Sequence, residues 1–221
     1  MDATGEIIIQ LKVRLLGISP MIWRRVMVPT TMTLHELHGV LQVAMGWESI
    51  HLYAFDIYAV QYGSFELMMG SPRVPLAQFS FRKNDKFSYT YDMGDGWVHE
   101  IRIESICTAD PKKSYPLCTG GSEACPPEEC GGPQGYLERR DEADGYGAWQ
   151  DFDVMAEWLD DLIKRDTTDL TVRDVLTDEV EAAMQRVVAR EPYQAGEFSR
   201  KRVNQAFRDG RHRDLMHQQF G

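Results

Sequence analysis

Three cysteines, Cys118, Cys125 and Cys130, follow C-x6-C-x4-C spacing in a stretch rich in glycine and proline. Thiolates are preferred ligands of tetrahedral zinc, and a structural ion would explain how a segment without periodicity stays ordered. A fourth ligand would come from His99 or Cys107 on the strand expected beneath. Structural zinc is thus one expectation. Free thiols are the other, because paired C-x-x-C knuckles are absent and a reducing compartment keeps thiols unpaired.

A second constellation is acidic. Asp92, Asp95 and Glu100 cluster at one hairpin end, and the string ACPPEEC adds Glu128 and Glu129. With His99 these could form a general acid/base or divalent-metal site if the loop folds over the hairpin. Against this, Asp in a turn bonds its own backbone, and a histidine on an apolar row reads as a satisfied core residue. No nucleophile, base and orienting residue can be assembled at a recognisable spacing. His35, His38 and His51 read as packed or solvated rather than as ligands. Trp23-Arg24-Arg25 reads as an edge-strand tryptophan with two solvated arginines pointing to opposite faces, an anion site being the alternative.

The elements that must position these residues follow from periodicity. Residues 87–104, FSYTYDMGDGWVHEIRIE, form two alternating strands, with Phe87, Tyr89 and Tyr91 matching Trp97, His99, Ile101 and Ile103. A three-residue loop, Gly94-Asp95-Gly96, sets Tyr91 opposite His99 and puts both apolar rows on one face. Residues 6–18 and 22–28 read as a hairpin, and residues 52–62 as a further strand. Residues 33–45 read as a helix with a Thr33/Glu36 capping box and Gly46 as C-terminal cap. Residues 71–80 and 108–147 read as irregular, and a loop as long as the second must be tied down by something. Two helices are expected at 149–165 and 177–190, the first burying Phe152, Met155, Leu159 and Ile163. Phe198, Val203 and Phe207 hint at a short basic helix before a fraying end. The sum is an α+β fold, a mostly antiparallel sheet of about five strands against helices, as one domain over 1–190 with a basic tail over 191–221.

The strings YTYDMGDGWVHEI, YPLCTGGSEACPPEECGGPQGY, PMIWRRVMVP and TLHELHGVLQVAMGW resemble the plasmid pRiA4b ORF-3-like family over residues 7–165. The resemblance implies an α+β domain found on plasmids and near mobile elements, and some relatives carry the label resolvase. The residues speak against that chemistry. The first serine, Ser19, stands at a strand end beside Pro20, and no tyrosine follows Arg211-His212-Arg213.

The chain of 221 residues carries a net charge of −10, which opposes whole-surface attraction to nucleic acid or anionic lipid. The charge is uneven. Arg200, Lys201, Arg202, Arg208, Arg211 and Arg213 against Asp209 and Asp214 give +4 after residue 198, leaving −14 on the rest. These six cations could make weak contacts with phosphates or pair with the protein's own acidic face. No apolar run reaches the length of a membrane span, and the start lacks the basic and apolar regions of a signal peptide, so a cytoplasmic location is expected. The reading that follows is a non-enzymatic binding or accessory module with its contact surface at the loop 115–136 over the hairpin, formed by Trp97, Pro126, Pro127, Glu128, Glu129 and Tyr136. The alternative is a metal-dependent hydrolytic or nucleic-acid-processing enzyme using Asp92, Asp95, His99 and the cysteine loop.

Overall fold

The computed structural model describes residues 5–164, 176–193 and 196–217. They divide into two compact units, Met1–Pro133 with Gly196–Gly221, and Gln134–Ala195. The boundary expected at residue 190 therefore moves. The basic segment is part of the sheet unit, and the helices before it form the other.

The first unit is built on a seven-stranded sheet of order β4-β3-β5-β6-β1-β2-β7. The strands are β1 (Ile7–Leu15), β2 (Trp23–Pro29), β3 (Tyr53–Ile57), β4 (Val60–Gly63), β5 (Lys86–Tyr91), β6 (Trp97–Thr108) and β7 (Leu117–Ser122). Every pairing is antiparallel. The two strands beyond the expected five have simple causes. The run 52–62 breaks at Tyr58 and Ala59, both at positive φ (52° and 64°), so one predicted strand becomes the hairpin β3–β4. β7 has the sequence LCTGGS, which carries no alternation to read, and it forms because β2 offers it a partner.

The β5–β6 hairpin keeps the predicted facing but not the predicted loop. Tyr91 pairs with Trp97 and Tyr89 with His99, which leaves five residues, 92–96, in the loop. Three and five are both odd, so the apolar rows still share a face. The longer loop arises because Asp92 itself turns, at φ 57°, and Gly96 N–H bonds back to Asp92 O at 2.7 Å.

Helix α1 (Leu34–Met45) lies on this face. Thr33 and Glu36 form the capping box, and Gly46 closes the helix at φ 90°. The helices α5 (Arg200–Arg208) and α6 (Arg211–His217) pack on α1, burying Val203, Phe207 and Leu215, so the expected fraying end is a docked pair of helices. The second unit holds α2 (Gly132–Ala143), apart from its first two residues, with α3 (Tyr146–Lys164) and α4 (Asp178–Arg190). Of α3's predicted apolar side, Phe152, Leu159 and Ile163 are exposed, and its buried residues are Ala148 and Asp151. Arg186 and Arg190 of α4 converge on Asp151, and their hydrogen bonds hold its carboxyl below the usual range. Arg165, the expected end of α3, lies outside the described residues.

The close approach of α6 depends on Gly39. A Cβ built there would stand 2.0 Å from the His212 carbonyl oxygen, which no backbone tolerates. Gly39→Ala should therefore destabilise the protein by about 1–3 kcal/mol, the cost of overpacking, although alanine is the better helix former by about 1 kcal/mol. Hydrogen exchange is expected to quicken across residues 211–217; unchanged protection there with an unchanged melting temperature would contradict this docking.

Candidate functional site

The polar groups beneath α1 form a determined network. The Tyr89 oxygen accepts Gln42 Nε2–H at 2.9 Å, and among the described residues His38 Nδ1, at 2.7 Å, is the acceptor its own proton meets, so the Tyr89 hydroxyl donates there. His38 Nε2–H then donates to Ser49 Oγ at 2.8 Å, which makes His38 a neutral imidazole. Burial agrees, pushing its pKa well below 6.5. His38 also stacks on Tyr53 at 3.8 Å between centroids, and Tyr53 O–H meets His35 Nδ1 at 2.9 Å. His35 and His38 are packed residues of the core.

His99 belongs to the same interior. Its Nδ1–H donates to the Tyr89 carbonyl at 3.2 Å, so its Nε2 carries a lone pair, and that atom is buried without a partner. Burial drives its pKa down to about 4. It is not free to serve the acids that neighbour it in the sequence. Glu100 points to the opposite face of the sheet and pairs with Lys86 and Arg14. Asp92 Oδ1 accepts from its own turn, at Gly94 N (2.9 Å) and Asp95 N (3.3 Å), and Oδ2 faces His51 Nε2 at 3.5 Å. Asp95 Oδ2 accepts from Gly131 N at 3.1 Å. Alternation along β6 separates His99 from Glu100, and turn geometry holds Asp92, so the alternative of an acid cluster does not assemble.

The expected thiolate set is also not brought together. Cys118 Sγ–H donates to Gly120 O, Cys130 Sγ–H to Pro127 O, and Cys107 is exposed at the end of β6. Among the described residues no group of three or more His, Cys, Asp or Glu is disposed to hold a metal ion.

Hydrogen bonds to side chains tie down the flap, residues 123–131 between β7 and α2, instead. Glu128 Oε1 accepts from Tyr91 O–H at 2.5 Å, and Oε2 accepts from Glu48 N at 2.8 Å. The Tyr91 oxygen also receives Ile50 N (3.0 Å) and His51 N (3.3 Å), so its donor and both lone pairs are used. The Trp47 indole donates to Pro126 O at 2.8 Å and the Trp97 indole to Glu128 O at 3.3 Å. Gly132, at φ 69°, passes so near Asp95 O that a Cβ would stand 2.2 Å away. The predicted contact surface changes accordingly. Trp97 is buried beneath the flap and Pro126 is buried within it, Glu128 and Pro127 are half-buried, and Glu129 is exposed. Tyr136 lies in the second unit beside Tyr193.

Where the flap leaves β7 it borders an open cleft of about 290 Å³, lined among others by Arg24, Trp47, Cys125, Phe198, Arg202 and Arg211. Arg24 is the residue that the sequence reading misplaced. β2 is not an edge strand, since β1 and β7 flank it, and Arg24 is only 2% exposed. Its Nε–H donates to Ala44 O, and its Nη1 to Trp23 O and Ser122 O, each at 2.8 Å. The signal was present in the alternation: Arg24 shares its row with Val26 and Val28, which face the core. Arg25, on the outer row, pairs with Glu104 as a surface residue should. Of the terminal cations, Arg211 pairs with Glu48 and Arg200 reaches Thr119 O at 3.5 Å.

Comparison with other proteins places this arrangement. The family described as plasmid pRiA4b ORF-3-like protein matches residues 7–172. "Uncharacterized protein y4hQ" of Sinorhizobium fredii is 39% identical over 137 residues, 59% of this chain and 70% of the relative. The crystal structure of "Protein of Unknown Function MM3350" from Methanosarcina mazei Go1 superposes with a TM-score of 0.61 at 31% identity, covering 79% of this chain and all of that one. Among the described residues no helix is long and apolar enough to cross a membrane.

Two measurements follow. Tyr91→Phe removes the hydroxyl that serves Glu128 and two amides, which should cost about 1–3 kcal/mol, the scale for unpaired buried polar groups. Faster amide exchange across residues 124–131 is its expected signature, and undisturbed exchange there would show that the latch is not what holds the flap. Acid should act through His99. Its pKa is depressed in the folded state from 6.5 to about 4, so the unfolded chain takes up a proton that the folded chain refuses. Stability is therefore complete above pH 6.5 and falls towards pH 4, by on the order of 3 kcal/mol from this residue. Urea unfolding across that window should show a shallower decline in His99→Leu; an identical slope would contradict the assignment.

Proposed function

The chain belongs to the plasmid pRiA4b ORF-3-like family, and from that premise we propose that it is a non-enzymatic binding module, associated with plasmids or mobile elements, that meets its ligand beside the latched flap. The observation that carries this reading is the latch itself. A segment with little ladder of its own is fixed to β5, β6 and the end of α1 by two indole N–H groups, one tyrosine hydroxyl and one glutamate. Fixing it forms one wall of a cleft, through Ala124 and Cys125, while the end of α1 and the start of α5 supply the others. A prearranged wall lowers the ordering cost that a mobile loop would impose on binding. The candidate acid/base residues are spent on turns, on surface pairs and on core packing, which favours binding over turnover.

A ligand-observed NMR screen of the full chain, with hits mapped by amide shifts, tests the reading. Shifts should concentrate in residues 44–48, 122–131 and 197–202, and Tyr91→Phe should weaken the hits while leaving the sheet resonances in place. Hits mapping only to other surfaces, or hits chemically altered by the protein, would overturn it.

A further inference from the structure

Arg24 has five N–H donors, and its hydrogen bonds use three of them, one on Nε and two on Nη1. Among the described residues nothing accepts from Nη2. The residue is 2% exposed and lines the cleft. The guanidinium is therefore fixed on one edge and unpartnered on another. The ring of Phe198 covers it at 4.4 Å, and the Trp47 ring is held in the wall by its bond to Pro126.

Arg24 has no direct carboxylate partner among the described residues, and neither has Arg202. Glu123 acts on Arg24 through space, but its own hydrogen bond is to Ser122 Oγ. Cys118 and Cys125 supply no counter-charge. Burial raises both thiols, Cys125 to about 12, so both are protonated at neutral pH. Glu48 is occupied by Arg211, with both its oxygens on Arg211 Nη2 at 2.7 and 2.8 Å. Arg24, Arg202 and Arg211 against Glu48 and Glu197 leave the lining at +1, on a chain of −10. The first turn of α5, Ser199 to Arg202, adds the positive end of a helix. A buried cation without a counter-ion is costly, and an incoming anion relieves that cost.

We propose that this cleft binds a small ligand through an anionic group, a phosphate or a carboxylate, seated between Arg24 Nη2 and Arg202, with the adjoining part of the ligand against Phe198 and Trp47. The proposal rests on the binding reading above and names the ligand class for the same place. The size of the cleft suits one small molecule or head group.

The test is titration of the full chain with inorganic phosphate and, separately, acetate, at ionic strength held constant with chloride. The readouts are the side-chain N–H signals of Arg24 Nε and Trp47 Nε1. Saturable shifts of both signals are expected with at least one probe, and the tighter probe identifies the group as phosphate or carboxylate. Arg202→Gln alters an exposed side chain and should preserve the fold, yet weaken that probe at least about tenfold, the scale of one charge-assisted hydrogen bond. Shifts that grow linearly with both probes and are the same in Arg202→Gln would overturn the proposal. If the anions fail while screened ligands still map beside the flap, the binding reading stands with a neutral ligand; if those also map elsewhere, both fall.

Discussion

Glu128 is the point at which the irregular part of the sheet unit is tied to the regular part. Its two carboxylate oxygens and its carbonyl take donors from β5, from β6 and from the turn after α1, three places that are distant in sequence. The flap between β7 and α2 has no strand partner to satisfy its backbone, so its carbonyls must find side-chain donors or water. Tyrosine and tryptophan suit this task, because each buries a large ring and still presents one N–H or O–H at its edge. The inward row of the hairpin thus serves both as core and as a line of donors. Moving Tyr91 or Trp97 by one position would turn the ring outward and remove the donor together with the packing.

That dependence explains what could be read from the sequence. Helix α1 was legible to its caps, because Thr33, Glu36 and Gly46 act locally. The facing of β5 on β6 was legible too, because parity survives a change of loop from three residues to five. The count of strands was not, since β7 carries no pattern of its own and exists through its partner. α2 was also hidden, for its sequence GPQGYLERRDEA offers no apolar stripe. The packing of α5 and α6 on α1 could not be foreseen from charge, although Gly39, a small residue within a good helix, marks where another backbone comes close.

The candidate site was legible only in its parts. The cysteine spacing points to the right segment and to a tie that holds it, and side-chain hydrogen bonds supply a tie for which zinc was one of two expectations. Of the acids at the hairpin end, Asp92 bonds its own turn as its residue type suggests, whereas Asp95 takes the Gly131 N–H of the flap, and the alternative of an acid cluster does not form. Arg24 reads as solvated only if β2 is an edge strand, and β7, whose sequence carries no pattern to announce it, covers that edge and makes the row of Arg24, Val26 and Val28 an inner one.

Arg24 also shows why a cation stands on a core-facing row. The carbonyls of the last turn of α1 carry the negative end of the helix and lack intrahelical donors, and that turn contains no basic residue. Arg24 supplies the missing donor from β2, through Nε to Ala44 O, and its Nη1 bridges β2 to the end of β7. A lysine, with a compact ammonium and no planar fork, could not reach these carbonyls in three directions and still present a free edge to the cleft. The structural work occupies Nε and Nη1, and Nη2 is left over, so one side chain ties helix α1 to two strands of the sheet while keeping part of its charge available to whatever enters beside it.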